Sequence, residues 1–394
     1  MEGFRRIYWP AINLIGPGAV KEVAIEVKKL GLTKLLLVTD KVLRSIGVVD
    51  LVTAVLKASE IDFVVFDEVE PNPTCKNVTD GLRVFKDENC DGLISVGGGS
   101  PQDAAKAIGI LQTNGGNIVD YEGIGKSQYK SVPIIAVNTT AGTASEVTIN
   151  YVITDELRKI KMVMVDPNCL ASVAVNDPEL MIKKPASLTA ATGMDALTHA
   201  IEAYITKGAF RLSDTLALEA IKLIGESLEE AVADGTNLEA RSKMTWASYI
   251  AGLSFSNCGL GIVHSMAHQL GSEYNLPHGV ANSILLPYVE EYNSQACSEK
   301  FKKIAAALGR DVTGLPADEA RFEAIDALAK MAEKLNIPKL SETSFNPADI
   351  EKLSHQAMAD VCTGGNPREV AVDDIKAIYM NAYKGILQTN ATIA

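Results

Sequence analysis

Hydrophobic and polar positions change their rhythm near the middle of the chain. In the first half, short apolar runs alternate with amphipathic stretches. Lys34–Thr39 (KLLLVT), Phe63–Phe66, Gly92–Val96 (GLISV) and Val132–Val137 (VPIIAV) read as strands. Val48–Ala58 and Val78–Glu88 between them carry helical spacing. Apolar strands separated by helices predict a mainly parallel sheet covered on both faces. After about Lys184 the strand signals stop. Helical patterns follow at Ser187–Thr206, Ser213–Ala233, Leu238–Leu253, Ile262–Gly271, Ala317–Leu335 and Asp349–Ala359. The expected organisation is an α/β Rossmann-like domain over residues 1–184 and an all-helical domain over 185–394.

One stretch stands apart. From Met244 to Val289 the only charged residue is Glu273, yet three of the five histidines, His264, His268 and His278, lie there. A run so poor in charge predicts burial, and buried imidazoles need partners. A second charge-poor segment, Pro185–Thr206, holds only Asp195 and Glu202 as charged residues. Asp195 and His199 are four apart, so both face one side of a helix, and Glu202 extends the stripe. His264 and His268 repeat that spacing. An amphipathic surface helix and satisfied core histidines are the ordinary alternatives, but a solvated face would carry Lys or Arg too. Asp195, His199, His264 and one further histidine would form a set of one carboxylate and three imidazoles. Such a set suits Fe²⁺, Zn²⁺, Mn²⁺ or Co²⁺. Four protein ligands favour Fe²⁺ over Zn²⁺, since catalytic zinc usually keeps three.

Two turns carry a second chemistry. Gly97-Gly98-Gly99-Ser100 follows the Gly92–Val96 strand. Ser100 is expected as the N-cap of the next helix, with Pro101 at its first position and Asp103 three residues past the cap. Thr139-Thr140-Ala141-Gly142-Thr143 follows Val132–Val137. Each alone is a tight strand-to-helix turn; paired, they suit a diphosphate. Asp40 ends an earlier strand, where a carboxylate can bind an adenosine ribose and repel the extra phosphate of NADP. The alternative is that Asp40 caps the next helix. It precedes Gly97 by about 57 residues, so this is not a G-x-G-x-x-G unit.

Composition narrows the classes. The formal net charge of −12, without a basic patch, argues against nucleic acid as a partner. Hydrophobic content of 47% with 22% charged residues is that of a globular protein. No signal peptide or membrane span is expected, so the expected location is the cytoplasm. Cys75, Cys90, Cys169, Cys258, Cys297 and Cys362 contain no C-x-x-C pair and read as reduced thiols.

The segments GGGSPQDAAKAIG (97–109), TTAGTASEVT (139–148), ATGMDALTHAIEAY (191–204), GLGIVHSMAHQLG (259–271) and NLPHGVANSILLP (275–287) resemble the iron-dependent (group III) alcohol dehydrogenases. TINYVITDE (148–156), AYITKGA (203–209), FSNCGLG (255–261) and DVCTGGNPRE (360–369) resemble the lactaldehyde reductase branch of that family. The resemblance implies a dehydroquinate synthase-like architecture and a metal held by Asp195, His199, His264 and His278. His268 is then the candidate for moving the proton. Asp40, Asn72, Gly97, Gly98, Gly99, Ser100, Asp103, Thr139, Thr140, Thr143, Asn150, Lys161 and Leu180 fall where NAD(H) is contacted. Asn150, Phe255, Leu260 and Cys362 fall near the substrate. A homodimer or larger assembly is implied, pairing through an N-terminal strand at Tyr8–Leu14. The implied reaction interconverts a short-chain primary alcohol or diol and its aldehyde, with lactaldehyde and 1,2-propanediol as the first expectation. 1,3-Propanediol, butanol, ethanol and methanol are alternatives. A metal- and NAD-binding lyase or synthase of the dehydroquinate synthase type is the alternative from another class.

Overall fold

The computed structural model describes residues 4–387. They divide into two compact units, one spanning Arg6–Lys183 and the other residues 184–387 with Phe4 and Arg5.

The first unit contains nine strands: β1 (Ile12–Ile15), β2 (Lys34–Val38), β3 (Asp62–Phe66), β4 (Gly92–Gly97), β5 (Gly123–Ile124), β6 (Ile134–Asn138), β7 (Asn150–Asp155), β8 (Ile160–Val165) and β9 (Val173–Asn176). Six form a wholly parallel sheet in the order β1-β9-β6-β4-β2-β3. Its strands are apolar on both sides because both faces are covered. Leu36, Val38, Leu93 and Ala136 enter one core, while Leu35, Leu37, Ile94, Val96, Ile135 and Val137 enter the other. The remaining strands make a small sheet, β5-β8-β7, in which β7 and β8 pair antiparallel.

Five helices accompany the strands: α1 (Val23–Lys29), α2 (Lys41–Ser45), α3 (Val48–Ala58), α4 (Cys75–Asp87) and α5 (Gly99–Asn114). One expectation needs correction. Helix α5 begins at Gly99 with Gly98 as N-cap, so Ser100 lies inside the first turn and does not cap it. Asp103 instead accepts from Ser145 Oγ (2.7 Å) and Val152 N (3.0 Å), tethering the segment after the threonine turn. Within the single chain the N-terminal strand spans Ile12–Ile15. It pairs with β9 of its own sheet.

The second unit consists of α6 (Ala186–Ile205), α7 (Arg211–Ala233), α8 (Leu238–Cys258), α9 (Ile262–Tyr274), α10 (His278–Ser294), α11 (Ser298–Ala307), α12 (Ala317–Lys334), α13 (Ile350–Ala359) and α14 (Val372–Lys384), with short 3₁₀ turns. From Thr189 onward, nearly all of α6 is buried. Its missing charge thus reflects a central helix packed all round. The charge-poor run of Met244–Val289 covers α9 and parts of α8 and α10 and is mostly buried, with Trp246 among the exceptions. No helix among the described residues is long and apolar enough to cross a membrane. All six cysteines are free.

Candidate functional site

Three helices of the second unit bring the donors together. Asp195 and His199 project from one side of α6, His264 from the first turn of α9 and His278 from the start of α10. One ligand atom from each of the four lies within 4.8 Å of all the others. His199, His264 and Asp195 are buried, and His278 has 27% of its side chain exposed. Glycine makes this approach possible. A Cβ on Gly279 would stand 2.4 Å from the carbonyl oxygen of Ala191, so α10 crosses α6 with backbone against backbone.

The donors point to a common place. Asn282 Nδ2 lies 2.7 Å from Asp195 Oδ1, 3.2 Å from His264 Nε2 and 3.1 Å from His278 Nε2. An amide nitrogen carries two protons and faces one carboxylate oxygen and two ring nitrogens here. With both ring nitrogens unprotonated, lone pairs converge there in excess of the protons available, as a cation site requires. Charge agrees with this. Burial pushes the Asp195 carboxyl above its ordinary value, a penalty that a cation relieves. Burial, together with the rings of His199, His278 and His268, holds His264 well below 6.5 and so in the neutral form a metal needs. One carboxylate and three imidazoles fit a divalent transition metal.

Other groups fix the surroundings. Phe255 stacks on His199 with ring centroids 4.2 Å apart. Glu202 Oε2 contacts His264 Nδ1, and its Oε1 accepts from Val263 N at 2.7 Å. His268 does not join the four. Its Nδ1 pairs with Asp360 Oδ2 at 2.8 Å, while its ring stacks on His278 at 5.5 Å. Burial would raise the Asp360 carboxyl, but His268 beside it and the hydrogen bonds from Cys362 together hold it below the ordinary range. Cys362 lies two residues on, its N–H donating to Asp360 Oδ1 at 2.9 Å. Burial first, then Asp360, pushes its thiol well above the ordinary range, so it is an inert group at neutral pH. Leu260 is buried in the α8–α9 turn, and its carbonyl accepts from Thr206 Oγ1 at 3.1 Å.

In the first unit, β6, β4 and β2 lie side by side and parallel, so their C-terminal turns share one edge. Those turns carry Thr139–Thr143, Gly97–Ser100 and Asp40. The chain passes from β2 outward to β3, then returns to β4 on the other side of β2. That reversal makes the crevice where open sheets bind ligands. The long sequence gap between Asp40 and Gly97 thus closes in space. The glycines serve the turns themselves: a Cβ on Gly98 would meet Thr140 Cγ2 at 2.7 Å, and one on Gly99 would meet Thr143 Cγ2 at 3.1 Å. Thr139 N donates to Gly97 O at 3.1 Å. Asp40 does cap α2, accepting from Leu43 N at 2.8 Å. Lys161 Nζ donates to Asn72 Oδ1 at 2.8 Å, and burial lowers its ammonium to about 8. Asn150 opens β7, and its carbonyl accepts from the buried Lys106 at 2.7 Å. Leu180 packs in the apolar core at 3% exposure.

Sequence reasoning gave no role to Asn282 or Asp360, and it placed Glu202 on the stripe without a partner. For Glu202 the signal was its isolation in a charge-poor helix. For Asn282 it was the spacing of four from His278. Asp360 had no local signal, since its partner is 92 residues away.

Comparison with known proteins agrees with these features. The family model "Iron-containing alcohol dehydrogenase" matches residues 10–178, and that of the Fe-containing alcohol dehydrogenase family C-terminal part matches 189–383. The chain is 47% identical over 374 residues to the NAD-dependent methanol dehydrogenase of Bacillus methanolicus, covering 95% of this chain and 98% of that one. It is 47% identical over 371 residues to lactaldehyde reductase of Escherichia coli (strain K12), covering 93% and 97%. A crystal structure of 1,3-propanediol oxidoreductase is similar with a TM-score of 0.95 and 47% identity, covering 96% of this chain and all of that one. Both family models describe alcohol dehydrogenases rather than a lyase or synthase. The chain belongs to the iron-containing alcohol dehydrogenase family.

Proposed function

We propose that the protein interconverts a short-chain primary alcohol or diol and its aldehyde, using NAD(H) and a divalent iron held by Asp195, His199, His264 and His278. The observation that carries this reading is the convergence of those four donors on one point. Bound there, the metal supplies Lewis acidity toward the substrate oxygen, and NAD(H) accepts or donates the hydride.

The protein's own groups do the rest. Asp195 brings one negative charge to the site, leaving a divalent ion net positive and able to attract an oxygen. Phe255 shields His199 with an aromatic face and keeps water from that side. His268, held at Nδ1 by Asp360, keeps Nε2 for exchanging the proton that leaves or enters the substrate oxygen. The turns at Gly97–Ser100 and Thr139–Thr143 receive the diphosphate, and Asp40 favours NAD over NADP. Asn150, Phe255, Leu260 and Cys362 are the proposed substrate neighbours. Lactaldehyde and 1,2-propanediol are the proposed substrates, supported by the quoted segments. The methanol, 1,3-propanediol and lactaldehyde enzymes are each 47% identical to this chain, so their substrates belong in the test beside these two.

The test is steady-state turnover, followed at 340 nm, with a panel of short alcohols and aldehydes on metal-stripped protein reloaded with Fe²⁺ or Zn²⁺. Activity is expected to return with Fe²⁺ and to be lost together with metal retention in His264→Ala. Full activity of that variant in chelator-treated buffer would overturn the reading.

A further inference from the structure

Glu202 lies one turn beyond His199 on α6, 1% exposed, and reaches across to the first turn of α9. One carboxylate oxygen contacts His264 Nδ1, and the other accepts the N–H of Val263 at 2.7 Å. The approach is prepared on the α9 side. A Cβ on Gly261 would stand 2.9 Å from Glu202 Oε1, so a side chain there would displace the carboxylate. On the opposite edge of the same ring, Nε2 faces the convergence point shared with Asp195 and His278.

We infer that Glu202 is the positioning residue of the metal centre, holding the His264 ring so that Nδ1 carries the proton and Nε2 is presented to the metal. The inference rests on the proposed metal site and deepens it. Burying a carboxylate here is costly unless it has a fixed donor, and a ring nitrogen and a backbone N–H supply two. The bond to Nδ1 also fixes which ring nitrogen is left to act as a ligand. Gln keeps the shape but presents one acceptor and one NH₂. Satisfying Val263 then turns the NH₂ toward Nδ1, which moves the ring proton to Nε2 and blocks the ligand atom. Turning the amide the other way sets its NH₂ against the Val263 N–H.

The experiment measures Co²⁺ and Zn²⁺ affinity by chelator competition, with the visible spectrum of the Co²⁺ protein, for wild type, Glu202→Gln and His264→Ala. Glu202→Gln is expected to lose about 10- to 100-fold in affinity, with an altered Co²⁺ spectrum. Wild-type affinity and spectrum in a folded Glu202→Gln protein, with affinity lost in His264→Ala, would overturn the inference and leave the metal site standing. Unchanged affinity in His264→Ala would overturn the metal site itself. Should Glu202→Gln not fold, ¹⁵N-histidine NMR of the Zn²⁺-loaded wild type decides. A slowly exchanging, deshielded proton on His264 Nδ1 is expected, and an unprotonated Nδ1 would sink the inference.

Discussion

Lys161 and Asp40 show how one side chain can be tested apart from its fold. Partial burial lowers the Lys161 ammonium to about 8, while the charge of Asp103 resists the shift. Lys161 is therefore charged below that pH and loses its charge above it. If it faces the cofactor, NADH affinity falls as pH rises through about 8, and Lys161→Ala flattens the profile; fluorescence titration between pH 7 and 9 reads this. A wild-type affinity constant across that window would remove Lys161 from the cofactor site. For Asp40, the cap on α2 means that Gly is the useful replacement. Gly at an N-cap costs only a few tenths of a kcal/mol, so the helix survives the loss of the carboxylate. Asp40→Gly is expected to raise the ratio of NADP to NAD turnover, and an unchanged ratio would rule out its proposed role in selectivity.

Between elements, the decisive contact is that of α10 on α6. Gly279 follows His278 and precedes Asn282 by one turn, and its Cα faces the carbonyl of Ala191. Backbone cannot step aside as a side chain can. Gly279→Ala must therefore push α10 outward, at about 1–3 kcal/mol of overpacking. His278 moves with it. The expected outcome is a lower melting temperature and reduced metal content while NADH binding is kept. Normal metal content would show that the donor set tolerates a shifted α10. The sheet turns obey the same logic, since Gly98 and Gly99 let Thr140 and Thr143 approach.

At the scale of the whole molecule, buried acids make stability depend on pH. Burial raises Glu146 to about 7 and Glu290 to about 8, from 4.5 for the free side chain. A carboxyl raised on folding favours the folded state when protonated. Its contribution is full below 4.5 and is lost as pH rises through 7 to 8. His264 acts at the other end: its folded value is depressed, so stability falls as pH drops below 6.5. Metal-free protein is thus expected to melt highest in mildly acidic buffer, losing stability as pH rises from there toward about 8 and as it drops further. Glu290→Gln should flatten the fall in stability up to about pH 8; calorimetry of both proteins from pH 5 to 9 checks this. A fall equally steep in the variant would show that Glu290 does not carry it.

Much of the molecule could be read from its pattern. The apolar runs at β2, β3, β4 and β6 announced a covered parallel sheet because both their faces are buried. The hairpin β7–β8 and the four-residue β9 were too short or too mixed to stand out. Helix α10 was hidden because it lacks a polar face and contains Pro287. The charge-poor runs announced buried donors, and their four-residue spacings placed Asp195 with His199 and His264 with His268. Spacing within a helix fixes only which side chains share a face. It could not show that His268 turns to Asp360, that His278 meets Asp195, or that Glu202 contacts His264. Those meetings depend on how closely helices cross, which is set by glycines and distant partners that no local pattern records. The sequence by itself determined the donor types and their faces; packing decided which donors meet.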